Sequence, residues 1–89
     1  MRLVVPGHSL DQAAERGVTL SEIEAVVTQG AAVPAHSGRA GRALVFPYNA
    51  PWGRKGRIYP QKRVVVFYAQ SGETITVVTV ISQYGRWEA

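Results

Sequence analysis

Lys62-Arg63-Val64-Val65-Val66-Phe67-Tyr68-Ala69 and Thr74-Ile75-Thr76-Val77-Val78-Thr79-Val80-Ile81-Ser82 are two runs rich in β-branched and aromatic residues. Such residues favour the pleated, half-buried surface of a sheet. Gln70-Ser71-Gly72-Glu73 between them reads as a tight hairpin turn. Pairing Ala69 with Thr74 sets a register in which Lys62 faces Ile81, Val64 faces Thr79 and Val66 faces Val77, all on one face. Arg63, Val65, Phe67, Thr76, Val78 and Val80 then share the other face, which Ser82, Tyr84 and Arg86 extend. Neither face is purely polar, so this hairpin belongs in the middle of a sheet.

Toward the N-terminus the pattern turns helical. Thr19 followed three residues later by Glu22 has the form of a capping box, with Val18 and Ile23 at hydrophobic-staple spacing. A helix over 20–29 follows, with Leu20, Ile23, Val26 and Val27 as its apolar stripe and Glu22, Glu24 and Thr28 toward water. Ser9 followed by Gln12 predicts an earlier helix over 10–16, and Gly17 and Gly30 are placed to end the two helices in a left-handed conformation. Residues 2–5 are a short apolar segment that Pro6-Gly7 breaks.

Between the helices and the final hairpin, 31–33 and 44–46 read as short strands joined by a turn over 34–41. Residues 47–60 hold Pro47, Pro51 and Pro60 with Tyr48, Trp52 and Tyr59, and read as a long irregular loop. A loop that long in a small domain is more often functional than accidental. The expected fold is a single α+β domain over 1–89: two N-terminal helices packed on one face of a three- to four-stranded antiparallel sheet.

With 89 residues there is room for one core only. The chain has no cysteine, which excludes a disulfide framework, a thiolate zinc site and a thiol nucleophile. Two histidines and six carboxylates poorly supply a metal centre, so no metal and no cofactor is expected. The longest apolar run, 64–69, is too short to span a bilayer and no stretch reads as a signal peptide. No membrane partner is expected, and the cytoplasm is the default location.

Charge is unevenly placed on this chain of net charge +4. Asp11, Glu15, Glu22 and Glu24 cluster in the helices, while Arg39, Arg42, Arg54, Lys55, Arg57, Lys62 and Arg63 fall in a stretch with no acid. Such a stretch attracts phosphate or an acidic partner, though it also serves as an ordinary solvated surface. No glycine-rich phosphate loop or nucleophile elbow is present.

The remaining residue types suit metal-independent RNA cleavage. The 2′-hydroxyl of RNA supplies the nucleophile, leaving the protein to move protons and place positive charge at the phosphate. In that scheme Lys62, with Arg63 or Arg86, holds the phosphate; His8 or Tyr84 exchanges the proton; Trp52 or Trp87 stacks a base. Each has a plainer role. His8 closes a helix start, Lys62 and Arg63 keep a strand edge soluble, and Tyr84 and Trp87 dock the C-terminus on the core. Arg16 at a helix end is ordinarily a carbonyl cap or salt-bridge partner, Thr79 ordinarily fills a strand, and His36 lies in a plain turn.

Pro6-Gly7-His8-Ser9-Leu10, Glu15-Arg16-Gly17-Val18-Thr19 and Glu22-Ile23-Glu24, with Val78-Thr79-Val80 in the last strand, resemble a prokaryotic family of small domains of unassigned function. That family is similar to the BrnT and RelE/ParE toxins of the barnase–EndoU–colicin–RelE fold group. The resemblance implies a RelE-like fold and a toxin-like endoribonuclease that cleaves single-stranded mRNA or tRNA and is neutralised by an acidic antitoxin or immunity protein. By position it implies functional roles for His8, Arg16 and Thr79; Gln12 stands where many members carry a second arginine. The expected catalytic set is thus His8, Lys62, Thr79 and Tyr84, with Arg16, Trp52, Arg54, Lys55, Arg57, Arg63, Arg86 and Trp87 on RNA. The alternative is a non-catalytic RelE-like module that binds an acidic protein or RNA through the basic 39–63 surface. Duplex DNA is a poorer fit, because neither helix is basic.

Overall fold

A computed structural model of the chain describes residues 1–36 and 38–87. Ser37 of the 34–41 turn and Glu88 beside the C-terminal aromatics lie outside the described residues. The order is β1 (Arg2–Val4), α1 (Gly7–Glu15), α2 (Leu20–Gln29), β2 (Ala31–Val33), β3 (Ala40–Trp52), β4 (Arg57–Ser71) and β5 (Thr74–Gly85). One five-stranded sheet runs β1-β5-β4-β3-β2, antiparallel except where β1 lies parallel to β5. The fold is therefore α+β as expected, with five strands rather than three to four.

Both helices cover the same side of the sheet, α1 over β5 and α2 over β3 and β4. Ile23 and Val26 from α2 meet Val64, Val66, Val77 and Val80 from the hairpin, all essentially fully buried. Burying a side chain of this size stabilises by about 1.5–3 kcal/mol, so this layer holds the fold together. Thr19 and Glu22 form the capping box in full: Glu22 N–H donates to Thr19 Oγ1 at 3.2 Å and Thr19 N–H to Glu22 Oε1 at 2.9 Å.

Several expectations are corrected. Helix α1 starts at Gly7 on a Pro6 cap without a side-chain cap bond, so Ser9 is not a cap. It lies inside the helix, fully buried, and donates to Val77 O at 3.3 Å. Leu20 is 54% exposed and lies outside the core stripe, whereas Glu22 turns inward. Gly17 is left-handed (φ 71), but Gly30 is extended (φ −71); the missing side chain at Gly30 instead leaves room for Val26 O and Ala43 O.

The 47–60 loop does not exist. Strands β3 and β4 continue through it as one long hairpin closed by Gly53-Arg54-Lys55-Gly56, with positive φ at both glycines. The prolines are tolerated for identifiable reasons. Strand β2 pairs only with residues 41–43 of β3, so Pro47 and Pro51 lie where β3 has no outer neighbour. Pro60 lies beyond the last β4–β5 pair, Gln61 with Gly85, and opposite a register shift between Pro47 and Ala50 where Asn49 adopts φ 51.

The β4–β5 register also differs. The turn is the two residues Gly72-Glu73, with Ser71 opposite Thr74. A bulge between Phe67 and Tyr68 then adds one residue, so Lys62 pairs with Tyr84, Val64 with Ser82 and Val66 with Val80. An odd shift exchanges the faces of a strand. Val80, Ser82 and Tyr84 thus share the helix-covered side with Lys62, and Thr79, Ile81 and Gln83 share the open side with Arg63.

Candidate nucleic-acid interface

The turn between the helices is tied to the sheet by side chains that the motif reading singled out. Tyr84 Oη and Ser82 Oγ both donate to Arg16 O, at 2.7 and 2.9 Å. Lys62 Nζ donates to Gly17 O at 2.8 Å and forms an ion pair with Glu22 Oε2 at 2.8 Å. Gly17 suits its place, at a positive φ where a Cβ would come within 2.6 Å of Trp52 and 2.7 Å of the Tyr84 hydroxyl. Trp52 stacks on Tyr84 with ring centroids 4.4 Å apart, and Tyr48 meets Tyr84 edge-on at 5.1 Å. Lys62 Nζ lies 5.4 Å from the Tyr48 centroid, a cation–π contact. Burial, aided by nearby Tyr48 and Glu22, raises the Tyr84 hydroxyl above the ordinary phenol pKa; its hydrogen bond with Ser82 opposes this.

Arg16 and Gln12 have a further structural role. Strand β5 pairs with β1 only over Thr74–Thr76, so its outer edge is otherwise bare beyond that point. Helix α1 closes it. Gln12 Oε1 accepts from Val80 N–H at 2.7 Å, Arg16 Nη1 donates to Val80 O at 2.5 Å, and Ser9 Oγ reaches Val77 O and Val78 O. Ser9, Gln12 and Arg16 form one stripe at helical spacing, and an edge so covered cannot pair with another chain. The Arg16-Gly17 motif is thus a clasp between the helical turn and the hairpin.

The expected catalytic set does not converge. Lys62 and Tyr84 are adjacent, but both are engaged in the clasp, and Lys62 is 4% exposed. His8 is exposed in the first turn of α1, eight residues from Arg16, about 12 Å along the helix axis. Thr79 pairs with Phe67 on the opposite side of the sheet. Arg63, which bonds Gln83 at 2.9 Å, Arg86 and Trp87 also lie on that open side. Arg42, counted among the free cations of the basic stretch, turns inward to Tyr68 Oη and Gly30 O.

A second set does come together. Trp52, Arg54, Lys55 and Arg57, with Tyr59 and Gly53, line one open groove of about 400 Å³ at the end of the β3–β4 hairpin. Arg54, Lys55 and Arg57 are exposed, and among the described residues the sole ion pair is Lys62–Glu22, so these three cations are uncommitted. The four-residue turn holds Arg54 and Lys55 at the tip, and Arg57 opens β4 beside them. Tyr59 was named in the 47–60 stretch but given no role; its place two residues from Arg57 on the same strand face was the available signal. Among the described residues no group of His, Asp or Glu could hold a metal ion, and no helix is long and apolar enough to cross a membrane.

No protein-family model matches the chain, no curated protein matches it, and no solved structure matches it.

Proposed function

We propose that this protein binds single-stranded RNA at the end of the β3–β4 hairpin, as a RelE- or BrnT-like module acting in the cytoplasm. The supporting observation is the shared groove of Trp52, Tyr59, Arg54, Lys55 and Arg57. Exposed cations meet the phosphates, while Tyr59 and the face of Trp52 turned away from Tyr84 offer π-faces for unpaired bases. An acidic protein would use the cations but leave the rings without a role, so RNA is the better fit. The endoribonuclease implied by the motif resemblance has one observation in its favour, the adjacency of Lys62 and Tyr84. Both side chains are already held by Glu22, Gly17 and Arg16, so binding rather than cleavage is the function assigned here.

The test is fluorescence anisotropy with a labelled twelve-nucleotide RNA in chelator. The wild type binds, and the triple reversal Arg54→Glu, Lys55→Glu, Arg57→Glu abolishes binding at unchanged thermal stability. With about three phosphate contacts on a single strand, log K falls against log salt with a slope of about −2. Intact RNA on a gel after incubation supports a binding module. Cleavage that His8→Ala or Lys62→Met removes from a folded protein restores the enzyme reading.

A further inference from the structure

The open side of the sheet is a second surface, separate from the hairpin groove. One row across it is apolar, Ala43, Val65 and Ile81, with Val33, Phe67 and Val78 half-buried toward one end and Val45, 37% exposed, beside Arg63 toward the other. Phe67 is held in place, because Gly41 lacks a side chain under its ring; a Cβ there would come within 2.9 Å of Phe67 and of Val33. Shallow grooves mark both ends. One of about 500 Å³ is lined by His36, Arg39, Phe67, Val78 and Thr79. Another of about 520 Å³ includes Val45, Pro47, Gln61, Arg86 and Trp87.

Among the described residues the charges on this side have one sign. Strands β2 to β5 contain no Asp or Glu; Asp11, Glu15, Glu22 and Glu24 belong to the helices on the other side, and Glu73 to the β4–β5 turn. Arg39, Arg63 and Arg86 are spread along the open side, near its two ends and its middle. We infer that this face docks an amphipathic helix of a partner protein, apolar side down and flanked by Asp or Glu.

Dimensions favour a helix. Strands β3, β4 and β5 together are about 10 Å wide at ordinary strand spacing, close to a helix diameter of about 10–12 Å. From Phe67 to Gln61 the face runs about 20 Å, which about 13 helical residues span. Between Phe67 and Trp87 the floor is Ala43, Val65, Ile81 and Val45 beside the Arg63–Gln83 pair and Gln61, with no aromatic ring, so it lacks the continuous stacking platform that an RNA strand uses. A second copy fits less well: its exposed Leu10 and Leu20 lie with Leu3 and Val5 in a groove, a concave surface rather than a projecting ridge.

The probe is a fluorescein-labelled fourteen-residue helical peptide with Leu at i, i+3, i+4 and i+7 and Glu on both flanks, beside a version with Lys for Glu. Anisotropy shows the Glu peptide binding at least about tenfold more tightly than the Lys peptide. Val45→Asp and Arg63→Glu, both surface changes, each weaken it about tenfold while RNA binding and melting temperature hold. The triple reversal at Arg54, Lys55 and Arg57 leaves peptide binding unchanged, so failure here and failure of the RNA reading are separable. Equal affinity for the two peptides, no effect of Val45→Asp or Arg63→Glu, or displacement of the peptide by the RNA overturns the inference. So does a dimer in light scattering that Val45→Asp dissolves, which assigns the face to a second copy.

Discussion

Lys62 is a cation with almost no access to water, and its charge is balanced by one carboxylate. Removing one member of such a pair strands the other, at a cost of about 3–5 kcal/mol. Glu22 also caps α2, so Glu22→Ala breaks two supports with one change. Urea unfolding of that variant is expected to show a loss of about 3 kcal/mol or more; a loss below about 1 kcal/mol would put the pair at the level of a surface salt bridge. Tyr84 gives a pH signature. Its hydroxyl pKa is raised in the folded state above the ordinary 10.0. Below that value the phenol is neutral in both states and the stabilisation is complete. As pH rises through the unfolded value toward the higher folded one, the unfolded chain loses its proton first and stability falls. Tyr84→Phe cannot ionise, so the advantage of wild type over this variant shrinks above the ordinary phenol pKa. A constant difference across alkaline unfolding curves counts against a buried, hydrogen-bonded hydroxyl. Gly17→Ala meets Trp52 and the Tyr84 hydroxyl at a positive φ, and is expected to cost about 2 kcal/mol, read by thermal melting with a shift in tryptophan emission.

At the level of elements, α1 acts as the missing neighbour of β5. Val80 spends both backbone groups on Gln12 and Arg16, and Ser9 covers the carbonyls before it. Gln12→Ala is expected to speed hydrogen exchange at the Val80 amide while the amides of β4 stay protected. Uniform acceleration across the sheet would mean that Gln12 supports the whole fold rather than this edge. The elements also differ in how far sequence could reveal them. The Thr19–Glu22 capping box and the left-handed Gly17 are local devices, legible from neighbouring residues alone. The prolines of 47–60 read as a loop because their tolerance depends on where β2 and β5 stop, which only the assembled sheet decides. The faces of β5 beyond Val78 were misassigned, while Thr76 and Val77 were placed correctly, because a single bulge at Phe67/Tyr68, invisible in a run of β-formers, exchanges them from there on. Trp52, Arg54, Lys55 and Arg57 were legible as a basic, aromatic segment. Lys62 drew attention as a phosphate-binding cation, but burial and the Gly17 acceptor reserve it for the clasp, whereas Arg16, read first as a carbonyl cap or salt-bridge partner, does bond a backbone carbonyl, that of Val80.

For the whole molecule, the layered fold separates its tasks. The helix-covered side holds the core and the clasp. The hairpin end carries uncommitted cations beside aromatic rings, and the open side carries aliphatic residues between arginines. Short-range Coulomb attraction at the hairpin end is screened by salt, whereas an aliphatic floor is not. RNA binding should therefore fade between low and moderate salt while the peptide complex loses a smaller share of its affinity, a comparison that parallel anisotropy titrations read directly.

The most direct measurement is a titration of ¹⁵N-labelled protein with an eight-nucleotide single-stranded RNA, followed by amide and indole resonances. The account predicts shifts confined to 52–59, with the Trp52 indole among the largest, while Val45, Arg63, Phe67 and Ile81 stay in place. Shifts centred on those four open-side residues, or none at all, would contradict it.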